Sequence, residues 1–274
     1  MLGKVKNRMI DTKLKEKTAL ITGANTGIGK AIALAFATQH TNIVIHYLGR
    51  KLEIEEPFQP EYYGFRGREG ALELADQIKR TGSQATIAEA NLCLPEAIPG
   101  LFGEAEKAFG RVDILVNNAA HCEMPDNIFS ATASNIERHF AVNTRATVLL
   151  ISEFVKRHKM RGGNWGRIIN LSTDAAQAFG TQISYGASKA AIEAYTRSIA
   201  WEVGHLGITV NTVAPGPVQT GWMSAELVEK VLPDIPLGRV GTPEDIADVI
   251  VFLASEQARW LTGQVIKVSG GHNI

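Results

Sequence analysis

The chain has 274 residues, and 28 Lys plus Arg against 28 Asp plus Glu give a formal net charge of +0, so no global field draws it to nucleic acid or to an anionic membrane. Its apolar runs are short and fall between Gly or charged residues, well below the roughly 20 residues that a bilayer span requires. Two cysteines, Cys93 and Cys122, exclude a disulfide framework; they are expected as small buried residues in a reducing compartment, which makes the protein cytoplasmic.

Residues 1–16 carry Lys4, Lys6, Arg8, Lys13 and Lys15, interrupted by Asp11 and Glu16. With no apolar core and no small-residue cleavage site, this segment reads as a flexible, solvated arm ahead of one domain over 17–274. Short β-rich apolar runs then alternate with stretches of helical period, the pattern of a parallel sheet covered on both faces. Strands are predicted at Thr18–Thr22, Asn42–Tyr47, Gln84–Glu89, Ile114–Asn117, Arg167–Leu171, Thr209–Val213 and Gln264–Val268. Helices are predicted near Ile28–Thr38, Gly70–Thr81, Glu96–Phe109, Ser134–Met160, Ile183–Gly204 and Pro243–Ser255, the last opening on Thr242 as cap with Asp245 placed to bond back to it. This is a single-domain α/β chain with one doubly wound, seven-stranded parallel sheet.

Two stretches depart from the alternation. Gly49–Arg68, with Glu53, Glu55, Glu56, Pro57, Pro60, Tyr62, Tyr63 and Phe65, is a long connection after the second strand, and long connections often carry function. Gly216–Pro236, containing Trp222, Met223 and Leu227, reads as a helical flap.

Thr22-Gly23-Ala24-Asn25-Thr26-Gly27-Ile28-Gly29 follows the first strand and opens a helix. Gly23 permits a tight turn, Gly27 lets backbone N–H groups approach a pyrophosphate, Gly29 lets helix and sheet pack closely, and the helix N-terminus adds positive potential. Asn117-Asn118-Ala119-Ala120 after the fourth strand and Pro215-Gly216-Pro217-Val218-Gln219-Thr220 after the sixth fall at the carboxyl ends of strands as well, where open α/β sheets bind ligands. The whole reads as a Rossmann fold.

Tyr185 and Lys189 stand four positions apart at the head of a strongly helical segment, so they share a face. A free phenol, with a pKa near 10, is a poor proton-transfer group at neutrality, and a nearby ammonium favours its ionised form. Ser172, at the end of the fifth strand, can donate a hydrogen bond to a substrate oxygen, and Thr173 is a competing hydroxyl. Asn143 lies inside an otherwise apolar helix, where its amide calls for a specific partner, and a local kink holding an ordered water is the functional reading. The seven histidines show no metal-ligand spacing.

Taken together, Thr22–Gly29, Asn117–Ala119, Asn143, Ser172, Tyr185, Lys189 and Pro215–Thr220 resemble the short-chain dehydrogenase/reductase superfamily, specifically its classical branch near the 3-oxoacyl-carrier-protein reductase-like members, over about residues 16–272. The resemblance implies an NAD(P)-dependent oxidoreductase that reduces a small-molecule carbonyl to an alcohol or the reverse. It makes Tyr185 the proton donor or acceptor, has Lys189 bind the nicotinamide ribose and tune Tyr185, has Ser172 orient the carbonyl, and gives Asn143 a water relay. It implies cofactor contacts at Gly23, Asn25, Thr26, Gly27, Ile28, Tyr47, Asn91, Leu92, Asn117, Ala119, Pro215, Gly216, Val218 and Thr220, and assembly as a homotetramer or homodimer. No carboxylate stands at the end of the second strand, His46-Tyr47-Leu48-Gly49-Arg50, and Arg50 and Lys51 follow, so NADP is expected over NAD. Departures are Ala120 in place of the usual Gly, Asn91 in place of an acid, and the long Gly49–Arg68 connection. The alternative class is a nucleotide-binding regulatory protein of the same fold without turnover.

Overall fold

A computed structural model describes residues 11–50, 59–60, 65–178 and 180–273. In chain order the elements are β1 (Thr18–Ile21), α1 (Gly27–Thr38), β2 (Asn42–Tyr47), β3 (Gln59–Pro60), α2 (Gly67–Arg80), β4 (Ala85–Glu89), α3 (Ala97–Phe109), β5 (Ile114–Asn117) and β6 (Glu123–Met124). There follow α4 (Ala133–Phe140), a π-helical turn (Ala141–Ala146), α5 (Thr147–Met160), β7 (Gly166–Leu171), α6 (Ile183–Val203), β8 (Ile208–Pro215), α7 (Ala225–Val231), α8 (Pro243–Ala254) and β9 (Val265–Val268).

Seven of these strands form one parallel sheet in the order β4-β2-β1-β5-β7-β8-β9. All residues of β1, β5, β7 and β8 are buried, as a sheet covered on both faces requires. Ile21, Ile45, Val116 and Val213 pack under α1, α2 and α8, whereas Leu20, Leu115, Ile168 and Val210 pack under α3, α5 and α6. The strand alternation thus feeds two apolar layers. The chain moves outward through β2 and β4, then returns to the other side of β1 with β5, so the order reverses between β1 and β5. Ligands of such sheets lie outside the carboxyl ends at that reversal.

All seven predicted strands are present. The single long helix expected over Ser134–Met160 is broken by the π-helical turn, which contains Asn143. The Gly216–Pro236 flap holds α7, and the capping return at α8 is present, Asp245 accepting the Thr242 N–H at 2.7 Å. Two further elements were not predicted: β3, from the long connection, pairs antiparallel with β6, Gln59 opposite Met124 and Pro60 opposite Glu123. Residues 1–10 of the expected arm, and Glu53, Glu55, Glu56, Pro57, Tyr62 and Tyr63, lie outside the described residues. Residues 11–16 are not an arm: Leu14 is fully buried, and its carbonyl accepts from Lys17 N and Thr41 Oγ1. An apolar side chain four residues before β1 is enough to fold that end onto the core. Among the described residues no helix is long and apolar enough to cross a membrane, and no cluster of His, Cys, Asp or Glu could hold a metal ion.

Candidate active site

The loop after β1 and the loop after β5 are sewn together at the reversal point. Thr22 Oγ1 accepts from the N–H groups of Asn118 and Ala119 at 2.9 and 3.0 Å, and Asn118 Nδ2 donates to the carbonyls of Thr22 and Gly23 at 2.8 and 3.0 Å. Gly29 cannot carry a side chain, since a Cβ there would lie 2.2 Å from the Gly23 carbonyl oxygen and 2.6 Å from Asn118 Nδ2. Gly27 has φ +50°, the left-handed region that glycine occupies at least cost. Together these fix a turn whose backbone N–H groups open onto a cleft lined by Asn25, Thr26, Ile28, Asn91, Leu92, Ala119 and Thr220, as well as by Leu48, Phe65 and His121.

His46 was missed from sequence. Its Nδ1 accepts the Gly23 N–H at 3.0 Å and its Nε2 bonds the Ala90 carbonyl at 3.1 Å, tying the turn to β2 and β4. Burial lowers its pKa to about 4, so the ring is neutral at physiological pH and keeps the acceptor that Gly23 uses. The available signal was a histidine one residue from the end of a buried strand, beside a glycine turn.

Strand parity turns several expected cofactor contacts elsewhere. Tyr47 follows His46 and points to the opposite face; it is fully buried under α2, with its hydroxyl donating to Glu89 at 3.1 Å and accepting from Arg68 at 3.2 Å. It does not line the cleft. Asn117 also turns inward, its Nδ2 donating to Asn170 Oδ1 at 2.8 Å, and Asn170 in turn reaches Thr196 on α6. Pro215 ends β8, and Gly216 serves close packing, since a Cβ there would stand 2.6 Å from that of Ser269. Val218 is buried; its carbonyl accepts from Trp222 Nε1 at 3.0 Å.

The chemical end is built on α6. Asp126, nearly fully buried, accepts the N–H groups of Ser184 and Tyr185 at 3.0 and 2.9 Å, so a carboxylate caps the first turn and fixes where Tyr185 starts. Lys189, one turn on, lies with Nζ 5.9 Å from the centroid of the Tyr185 ring and donates to the Leu171 carbonyl at 2.8 Å. Burial lowers the lysine pKa to about 8, opposed weakly by Cys122. Desolvated and near a phenol, this ammonium has one obvious means of recovering lost solvation, which is to favour a negative oxygen beside it.

Asn143 sits where the helix widens. Its Oδ1 accepts the His121 N–H at 2.8 Å, while Nδ2 donates to the His121 carbonyl at 2.9 Å and to Ser188 Oγ at 2.9 Å. One amide therefore joins the loop after β5 to the helix of Tyr185, and the π-helical turn is what brings it there. Around it lies a buried polar group that sequence reading did not find. Glu123, fully buried, accepts from Arg138 Nη2 at 2.7 Å and Asn135 Nδ2 at 2.8 Å and bonds His121 Nε2 at 3.1 Å. Burial pushes the Glu123 pKa up, but the bonds from Arg138, His121 and Asn135 outweigh it and hold the carboxyl below its ordinary value. His139 places its ring between those of His121 and Tyr185, at centroid distances of 5.3 and 6.5 Å.

The two candidate hydroxyls face opposite ways. Ser172 shares with Asn170 the face of β7 that packs on α6, where its Oγ donates to Glu193 at 2.7 Å. Thr173, half-buried and extended at φ −161°, faces the other way; its Oγ1 accepts the Ala175 N–H at 3.2 Å. The loop behind it is held from the C-terminal turn, His272 Nδ1 lying 2.5 Å from Asp174 Oδ2 and Asn273 donating to the Asp174 carbonyl.

The geometry agrees with what the chain is similar to. Residues 23–273 match the family described as enoyl-(acyl carrier protein) reductase. An oxidoreductase of Bacillus subtilis (strain 168), YjdA, is 38% identical over 94% of this chain and 97% of its own. Among solved structures, the angucycline C-6 ketoreductase LanV with bound NADP is 33% identical with a TM-score of 0.82, over 95% of this chain and 96% of its own. A 7α-hydroxysteroid dehydrogenase complexed with NADH and 7-oxo glycochenodeoxycholic acid is 31% identical with a TM-score of 0.84, over 96% of each chain.

Proposed function

Since the chain belongs to the short-chain dehydrogenase/reductase family and is an oxidoreductase that moves a hydride between NAD(P) and a carbonyl or alcohol carbon, we propose that it works as an NADPH-dependent carbonyl reductase with Tyr185 as the proton-transfer acid. The observation that carries the reading is the buried Lys189 ammonium one helical turn from Tyr185, on a helix that Ser188 joins through Asn143 to His121 in the wall of the cleft that the glycine turn opens. A protein that only bound the nucleotide would have no use for that pair, and the non-turnover alternative is set aside.

The residues fit a dinucleotide. The turn at Gly23–Gly29 would hold the pyrophosphate, Thr220 and His121 stand at one end of the cleft, and Leu48, Asn91 and Leu92 at the other. The nicotinamide, when bound, supplies the hydride. Tyr185 hands its phenolic proton to the carbonyl oxygen as that oxygen gains charge, and Lys189 stabilises the phenolate that remains. Asn143 holds the loop after β5 against α6 and is the residue through which a water relay would pass. The substrate-orienting hydroxyl is assigned to Thr173, because Ser172 is buried with its Oγ donating to Glu193 at 2.7 Å, whereas Thr173 is half-buried and gives up only a long 3.4 Å bond to Asp174 Oδ1. Thr173→Ala should therefore lower kcat about 10²-fold, the cost of removing one donor to a developing oxyanion, while Ser172→Ala stays within a few-fold of wild type. The reverse order would return the role to Ser172.

NADPH is favoured because Leu48 faces the cleft where an NAD-selecting carboxylate would stand, with Tyr47 turned beneath α2. Exposed Trp201, Trp260 and Leu237, at 90, 96 and 73% accessibility, support assembly as a homotetramer or homodimer, and the two free cysteines support a cytoplasmic setting. The test follows loss of NADPH or NADH absorbance against a panel of ketones, aldehydes, quinones and 3-oxoacyl thioesters, on protein sized by light scattering. Turnover with NADPH exceeding that with NADH, by an oligomer, is expected; NADH preference, or a monomer, contradicts the corresponding part.

A further inference from the structure

The long connection between β2 and α2 is fastened to the rim of the cleft at two places. At one, Gln59 and Pro60 pair with Met124 and Glu123 of β6, just beyond the loop that carries His121. Glu123 is itself immobilised by Arg138, Asn135 and His121, so β6 is a firm edge. At the other, Asn25 of the glycine turn donates from Nδ2 to the Gly67 carbonyl at 3.1 Å. Phe65 stands between these fastenings, five positions after Pro60 and two before Gly67, and its side chain lines the same cleft as Asn25, Thr26, Leu48, Asn91 and Leu92.

The position of that ring along the cleft follows from the fold. The glycine turn holds a pyrophosphate, and the residues after β2 lie beside the ribose on its adenosine side. Leu48 follows β2 directly, while Asn91 and Leu92 follow β4, the next strand outward. Phe65 stands beside the chain that leaves β2, since a Cβ at Gly67 would lie 3.1 Å from the Gly49 carbonyl oxygen and 3.5 Å from the Phe65 ring, and β2 and β4 lie on the side of β1 opposite to β5 and β8, which lead into His121 and Thr220. We propose that Phe65, supplied by the Gly49–Arg68 connection, is a cofactor-binding residue whose ring packs on the adenine of the dinucleotide. The base then has Leu48 and Leu92 for apolar contact and an aromatic face from the connection. Phe65 thereby acts in cofactor affinity and leaves the reacting atoms to α6 and the end of β7. This inference rests on the dinucleotide reading above.

The experiment measures dissociation constants by isothermal titration calorimetry for NADPH, for 2′,5′-ADP and for reduced nicotinamide mononucleotide, on wild type, Phe65→Ala, Phe65→Leu and Phe65→Trp. Stacking of a base on an aromatic side chain is commonly lost at about ten-fold in affinity or more, so Phe65→Ala and Phe65→Leu should weaken NADPH and 2′,5′-ADP about ten-fold. Phe65→Trp should restore both, and binding of the mononucleotide should not change. Equal NADPH and 2′,5′-ADP affinities in wild type and Phe65→Ala overturn the assignment, as does a loss that Phe65→Trp fails to restore or that extends to the mononucleotide. A thermal unfolding scan accompanies each variant, and Phe65→Leu keeps the test open if Phe65→Ala is unstable. If wild type binds neither NADPH nor 2′,5′-ADP, the dinucleotide reading fails first; if wild type binds and the variants bind equally, only the role of Phe65 fails.

Discussion

Lys189→Met is expected to lower kcat for carbonyl reduction by about 10²-fold or more, the range that proton-transfer groups contribute, and to move the alkaline limb of the kcat/KM profile upward. The cation beside Tyr185 favours the phenolate, so its removal leaves a half-buried phenol that ionises at higher pH. Tyr185 then keeps its proton to higher pH and releases it less readily. The stability of the variant separates chemistry from packing. The folded pKa of Lys189 is lowered from 10.5 to about 8, and between these values the unfolded chain binds more protons than the folded one. Stability attributable to this group therefore rises with pH across that window, and the cost is fully present below about pH 8. At neutral pH the Lys189→Met substitution removes a burial cost of up to about 3 kcal/mol, offset in part by the lost bond to the Leu171 carbonyl. Lower turnover without a lower melting temperature is the expected pair of results, measured by steady-state kinetics across pH and by thermal unfolding. Lower turnover together with a lower melting temperature points instead to packing.

Much of the site was legible because its local rules are strong. The glycine turn between a buried strand and a small-residue helix, and a tyrosine and lysine one helical turn apart, each carry their geometry in their spacing. The central strands could be read for the same reason, since a strand buried on both faces is largely apolar, and the half-buried edge strands β4 and β9 kept enough β-branched residues to be read as well. Facing was harder. A one-residue difference at a strand end exchanges the two sides of the sheet, which is why Tyr47 and Asn117 turn inward while His46 and Asn118 shape the turn, and why Ser172 meets Glu193. Partners distant in sequence were not legible at all. Nothing local says that Glu123 will be enclosed by Arg138, Asn135 and His121, that Asp126 will cap the helix of Tyr185, or that Gln59 and Pro60 will pair with β6. Leu14 shows the same limit from the other side, because a charge-rich context concealed one apolar residue that the core takes up.

The central claim is that the phenol of Tyr185 transfers the proton in the crevice that receives the nicotinamide. Tyr185→Phe keeps the ring, its packing against His139 and the backbone bond to Asp126, and removes only the acidic oxygen. Because the glycine turn, Leu48, Asn91 and Leu92 are untouched, cofactor affinity should remain within a few-fold. Proton transfer by a positioned side chain contributes up to about 10⁴-fold, so the loss should be about 10³-fold or greater. The decisive measurement is a single-turnover reaction of Tyr185→Phe carrying bound NADPH with whichever carbonyl wild type reduces, read beside the NADPH dissociation constant of the same preparation. The account predicts nearly unchanged binding with hydride transfer slowed about 10³-fold or more; full-rate reduction by the cofactor-loaded variant would contradict it.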